Sequence, residues 1–178
     1  MTIQIMTRKQ SSMIAAGEVI ERPASIVKEL VENSLDAGAK FISVEVKNGG
    51  IGSIRVVDDG SGISSFEVET AFRRFATSKF LENDDLFAVE TLGFRGEALP
   101  SIASICSLTM LTRTVNQHSG ILLRINNGEI STKSDQGCPI GTSVLIEELF
   151  QEVPARLKFL KSIHTESKRI NSLVQQFS

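Results

Sequence analysis

One stretch limits what this chain can become: SIVKELVENSLDAGA, from Ser25 to Ala39. Ile26, Val27, Leu30, Val31 and Leu35 fall at helical spacing and define one amphipathic helix with a single apolar face. Pro23 suits its start and Gly38 its close. At about 100° per residue, Glu29, Asn33 and Asp36 crowd into a sector of about 60° off that face. Glu29 and Asn33 lie one turn apart, so their side chains point the same way. A carboxylate and a carboxamide so placed can orient a water and hold a hard metal ion through oxygen. For this helix alone a solvated polar face is the simpler account, and residues further along decide between the two.

The segments flanking the helix do not make a βαβ series. Residues 1–10 read as a loose arm, and Ser11 and Ser12 as caps for a short helix over Met13–Ile20 that ends where Pro23 disfavours helix at Arg22. Phe41 to Lys47 alternates, with Ile42, Val44 and Val46 on one side and Ser43 and Glu45 on the other, as a half-buried strand does. Asn48-Gly49-Gly50 is a turn, and Ser53–Asp58 the partner strand of a hairpin. Ser64 and Glu67 predict a capping box for a helix reaching Phe75. Ala76 to Leu92 is polar and irregular, and Gly93–Leu99 (GFRGEAL) leads into a small-residue helix ending near Ile105. Strands are predicted over Ser107–Thr114, Gly120–Asn126, Glu129–Lys133 and Thr142–Glu147, with Asn127-Gly128 a hairpin turn. Pro154 opens a final helical region. This order predicts an α+β chain: a two-layer α/β sandwich, its mixed, mostly antiparallel sheet carrying helices on one face.

Composition removes several functions. The 178 residues suffice for one domain with a core, and 41% apolar content is that of a globular chain. A net charge of −2 supplies no global attraction to DNA or to a membrane surface. The longest charge-free run, Ala98–Thr112, is interrupted by Pro100 and is too short to span a bilayer, and the N-terminus lacks the pattern of a signal peptide. Cys106 and Cys138 have no metal or redox spacing and read as free thiols in a reducing compartment; His118 and His164 stand apart. With neither Trp nor Tyr, the usual stacking platforms for single-stranded nucleic acid are missing.

Two motifs carry chemistry. Asp58 ends a strand at DxGxG, where Gly60 and Gly62 allow a sharp turn and close approach to a ligand. A carboxylate there can accept from an exocyclic amine. Adenine offers one, whereas guanine presents a carbonyl oxygen at the matching place. A tight turn with an Asx bond is the plainer account of DxGxG by itself. In GFRGEAL, Gly93 and Gly96 permit unusual backbone angles just before a helix, whose free amides can bind phosphate, with Lys79 and Arg95 adding positive charge.

The succession ExxxN, DxGxG, ATSK, LGFRGEAL, Gly141-Thr142 and PARLKFL, together with KELVENSLDAGA, resembles the MutL family of DNA mismatch-repair proteins. The likeness runs from about Ser11 onward. It implies the Bergerat-type ATPase fold shared with type II topoisomerases, heat-shock chaperones and sensor kinases, with ATP and Mg²⁺ as cofactors. By the same resemblance Glu29 is the general base and Asn33 the Mg²⁺ ligand. Asp58 holds adenine, with Gly60 and Gly62 in its turn close to the base and Thr142 assisting through water. Thr77, Ser78 and Lys79 line the ribose and phosphates. Gly93, Arg95 and the amides of Gly96, Glu97, Ala98 and Leu99 wrap the triphosphate, and residues 77–92 form a lid. Asp59 stands where Asn is also common in the family.

The resemblance further implies a second domain that supplies a lysine to the γ-phosphate, and a C-terminal dimerisation domain. Residues 1–178 are then expected to be an N-terminal ATP-binding domain cut before both, monomeric and weakly active alone. In the whole protein the implied partners are mismatched DNA, a MutS-type recognition protein and a second copy, with no membrane, in the cytoplasm of a bacterium or the nucleus of a eukaryote. Two other readings stay open: a non-catalytic nucleotide-binding module, and a DNA-binding scaffold using Arg156, Lys158, Lys161, Lys168 and Arg169.

Overall fold

The computed structural model describes Thr7, Ala16, residues 20–76 and residues 96–177. The first helix, α1 (Pro23–Asp36), opens with proline at its first turn and runs into Gly38, which takes a left-handed φ of 72°. Ile26, Val27, Leu30 and Val31 are buried as their spacing requires. Leu35 is not: it is 37% exposed, and Ser34 sits buried in the stripe that Leu35 was expected to complete. Strands β1 (Ile42–Lys47) and β2 (Ser53–Asp58) form the expected hairpin around a short 3-10 turn at Asn48–Gly50.

The capping-box helix after Ser64 does not form. Ser64 Oγ donates directly to Glu67 Oε2 at 2.6 Å, so the two side chains satisfy each other instead of capping backbone amides. The chain continues in tight turns and a 3-10 segment, Thr70–Phe72, ending at Phe75 with a φ of 64°. Helix α2 (Ala98–Ala103) is shorter than expected. Beyond it come strands β3 (Ser107–Arg113), β4 (Gly120–Asn126), β5 (Glu129–Gln136) and β6 (Gly141–Glu147), then helices α3 (Pro154–Phe159) and α4 (Ile163–Val174). Asn127 and Gly128, both at positive φ, make the β4–β5 turn. The short helix expected over Met13–Ile20 lies largely outside the described residues.

The six strands order as β1-β2-β6-β3-β4-β5, and every pairing is antiparallel. The last strand in sequence therefore sits between the second and the third. Register builds the core in rows across β2, β6 and β3: Ile54–Ile146–Leu108, then Val56–Val144–Met110. All six are buried on one sheet face, which the helices cover, α1 contacting both β2 and α4. This is the two-layer α+β sandwich predicted from the element order. The next row on that face is polar: Asp58–Thr142–Thr112.

Candidate functional site

That polar row holds two of the predicted residues, Asp58 and Thr142. Asp58 is the last residue of β2 and lies opposite Thr142 at the start of β6. Its Oδ1 accepts from two backbone amides, Gly60 N at 2.9 Å and Thr142 N at 3.2 Å. Its Oδ2 accepts from Ser34 Oγ at 2.9 Å. A carboxylate has about four acceptor positions, so three donors leave one, on Oδ2. Ser34 also lies 3.0 Å from the Leu30 carbonyl and is 3% exposed, so it ties α1 to the end of β2. Asn33 precedes it in α1, and Glu29 lies one turn before Asn33.

The glycines of the turn are there because side chains do not fit. Gly62 has a φ of 71°, and a Cβ on it would fall inside the Arg113 carbonyl. A Cβ on Gly60 would come within 2.8 Å of the Ala37 Cβ, and Ser61 N donates to Ala37 O at 2.9 Å. The DxGxG turn is thus wedged between the C-terminus of α1 and the end of β3.

Thr112 holds this arrangement from below. It is fully buried, and its Oγ1 accepts from Ile63 N at 2.9 Å, lies 3.1 Å from the Gly141 carbonyl and 3.0 Å from Thr142 Oγ1. Neither Ser34 nor Thr112 stands out in the sequence. The signal exists only once strands are aligned, because Thr112 breaks the apolar alternation of β3 in the same row where Asp58 and Thr142 break those of β2 and β6.

Asp59 performs a different task. Its Oδ1 accepts from Lys40 N at 2.7 Å and Phe41 N at 2.9 Å, clasping the start of β1. The Phe41 amide first, then that of Lys40, holds the carboxyl below its ordinary value of 3.8.

Gly96, at a φ of 60°, packs its backbone against Ala76, where a Cβ would stand 2.6 Å from the carbonyl oxygen. Phe75 N donates to Gly96 O at 3.1 Å. Residues 76 and 96 therefore meet, and Glu97, Ala98 and Leu99 continue half-buried into α2. Thr77, Ser78, Lys79, Gly93 and Arg95 lie outside the described residues. The basic cluster of the scaffold reading is partly consumed by structure. Arg156 donates to Ile20 O at 2.7 Å and covers the Phe150 ring, and Arg169 pairs with buried Glu166 at 3.3 Å. Among the described residues no group of three or more His, Cys, Asp or Glu could hold a metal, and no helix is long and apolar enough to cross a membrane.

The fold is that of a class of ATPase. Residues 20–157 match the family described as histidine kinase-, DNA gyrase B-, and HSP90-like ATPase, and the chain belongs to that family. Within it the relatives are MutL proteins. The chain is 52% identical over 177 residues to the DNA mismatch repair protein MutL of Methanothrix thermoacetophila, covering 99% of itself and 32% of that protein. It is also 52% identical over 164 residues to MutL of Syntrophus aciditrophicus, covering 92% of itself and 27% of that protein. Among solved structures, the Aquifex aeolicus MutL ATPase domain complexed with ADP superposes with a TM-score of 0.72 at 33% identity, over 89% of this chain and 55% of that one. The N-terminal domain of a DNA repair protein superposes with a TM-score of 0.77 at 32% identity, over 92% and 47%. This is an ATPase domain of the MutL kind, and it spans under a third of the curated relatives' length.

Proposed function

We propose that this site binds Mg·ATP with adenine at Asp58 and hydrolyses it with Glu29 as general base. The observation that carries the reading is the one acceptor position left on Asp58 Oδ2 after Gly60, Thr142 and Ser34 have taken the others. An exocyclic amine fills that position, and a carbonyl is repelled by it. The residues fit the cofactor. Gly60 and Gly62 let the turn pack closely on Ala37 and Arg113, which fixes Asp58 at the end of β2. Asn33 on α1 offers a carboxamide oxygen, a hard donor of the kind that would hold Mg²⁺ together with phosphate oxygens. When bound, the Mg²⁺ neutralises charge developing on the phosphates. Glu29 takes the proton of the attacking water, and Asn33 orients the phosphate end through its carboxamide. Gly96, Glu97, Ala98 and Leu99 present backbone amides to the phosphates, joined there by Gly93 and Arg95, with Thr77, Ser78 and Lys79 along the ribose side; these roles rest on the family resemblance.

In the longer proteins that share this domain, residues 1–178 serve as the N-terminal nucleotide module of a switch coupling mismatch recognition to repair. A following domain contributes the lysine to the γ-phosphate, and DNA, a MutS-type protein and a second copy are the partners, in the cytoplasm or nucleus. Turnover by residues 1–178 alone is slow on this reading. The test is Glu29→Ala beside Asn33→Ala. Glu29→Ala keeps nucleotide affinity and loses turnover by about 10²–10⁴, whereas Asn33→Ala loses the Mg²⁺-dependent part of affinity. Loss of binding in Glu29→Ala with the rate per bound ATP unchanged refutes the assignment.

A further inference from the structure

Thr112 is buried and touches no surface that a nucleotide could reach, yet three groups of the base site converge on its one hydroxyl. We propose that Thr112 is a specificity-determining positioning residue: it sets the direction of the hydrogen bond from Thr142 and so fixes the base site as acceptor-only. The inference rests on the adenine reading above and deepens it.

The assignment comes from counting protons. A threonine hydroxyl donates once and accepts twice. Ile63 N–H can only donate, so Thr112 Oγ1 accepts from it. The Gly141 carbonyl can only accept, so the single Thr112 proton goes there. One acceptor position remains on Thr112, and Thr142 Oγ1 fills it as donor at 3.0 Å. All four groups are then satisfied, as buried polar atoms require. The Thr142 hydroxyl has spent its only proton inward and shows lone pairs alone to the site. On the other side, Asp58 Oδ2 offers one lone pair and no proton. A purine edge carrying an amino group finds acceptors, directly or through water. One carrying a carbonyl meets lone pairs on both sides. Without the Thr112 hydroxyl, Thr142 is free to turn its proton outward and donate to that carbonyl.

The experiment is calorimetric titration of the purified chain with Mg·ADP and Mg·GDP, comparing Thr112→Val, Thr112→Cys and Thr112→Ser. Valine keeps the shape and removes the hydroxyl, and the ADP/GDP affinity ratio is expected to fall about tenfold, as for one lost hydrogen-bond discrimination. Serine restores the ratio, and cysteine, a weak hydrogen-bonder that keeps a polar atom, falls between. Melting curves confirm folding, and cysteine against serine still decides the matter if the valine variant does not fold. A preserved ratio in the valine or cysteine variant, beside a clear preference in the unsubstituted chain, overturns this inference alone. So does failure of serine to restore it. Equal affinities in the unsubstituted chain overturn the adenine reading itself.

Discussion

Replacing Asp58 by Asn changes one atom and inverts what the site offers. The oxygen of the new carboxamide must stay toward Gly60 N and Thr142 N, because the opposite flip would press an NH₂ group against two N–H donors. The NH₂ group then occupies the Oδ2 position. Ser34 Oγ can accept from it, since its own proton has the Leu30 carbonyl at 3.0 Å. The turn therefore survives, with weaker bonds to a neutral acceptor, at about 1 kcal/mol or some 2–4 °C in Tm. Toward the base, a donor now stands where an acceptor stood. Losing a hydrogen bond to a charged group removes about 1.5–3 kcal/mol, so ADP should bind about 10- to 150-fold more weakly. GDP, whose carbonyl oxygen now meets an N–H, should bind more tightly than before. Titration of both nucleotides against both proteins, with a melting curve for each, measures the exchange. An Asp58→Asn protein that melts normally and keeps its ADP affinity would refute the idea that Oδ2 faces the base.

The titrating groups set two further outcomes. Asp59 is held below its ordinary 3.8 by the Phe41 and Lys40 amides, so its contribution to stability is complete above that value and is lost as pH falls through its lowered one; Asp59→Asn should flatten the acid end of the Tm-versus-pH curve, and parallel curves would refute it. Burial pushes the Cys106 thiol up to about 12, so at pH 8 iodoacetamide should modify half-buried Cys138 first and reach Cys106 only on unfolding; equal labelling rates by mass spectrometry would contradict this.

The sequence shows what is local and hides what depends on register. Helix α1, the β1–β2 hairpin and the Asn127-Gly128 turn are legible because periodicity and turn chemistry act over a few residues. Asp58 and Thr142 are reached through motifs and family likeness. Ser34 escapes notice because Leu35 is the better apolar candidate for the stripe, and the Leu30 carbonyl and Asp58 that satisfy a buried serine there are not visible in the sequence. Thr112 is invisible for a similar reason: a threonine in a strand is ordinary until Asp58 and Thr142 are known to share its row. The helix expected after Ser64 gives way to turns and a 3-10 segment, with Ser64 and Glu67 bonded side chain to side chain.

The insertion of β6 between β2 and β3 has a consequence for the chain as it is being made. Until Gly141–Glu147 has left the ribosome, the β1–β2 hairpin and the β3–β4–β5 meander have no strand to join them, and each presents an unpaired edge. Asp58 meets the Thr142 amide across 84 residues of separation, a long loop whose closure costs chain entropy. A nascent chain shorter than this carries every residue of the DxGxG turn and no finished base site. With the base site proposed above, nucleotide would stabilise the domain only once β6 is in place, so ligand binding would report completed synthesis of the sheet.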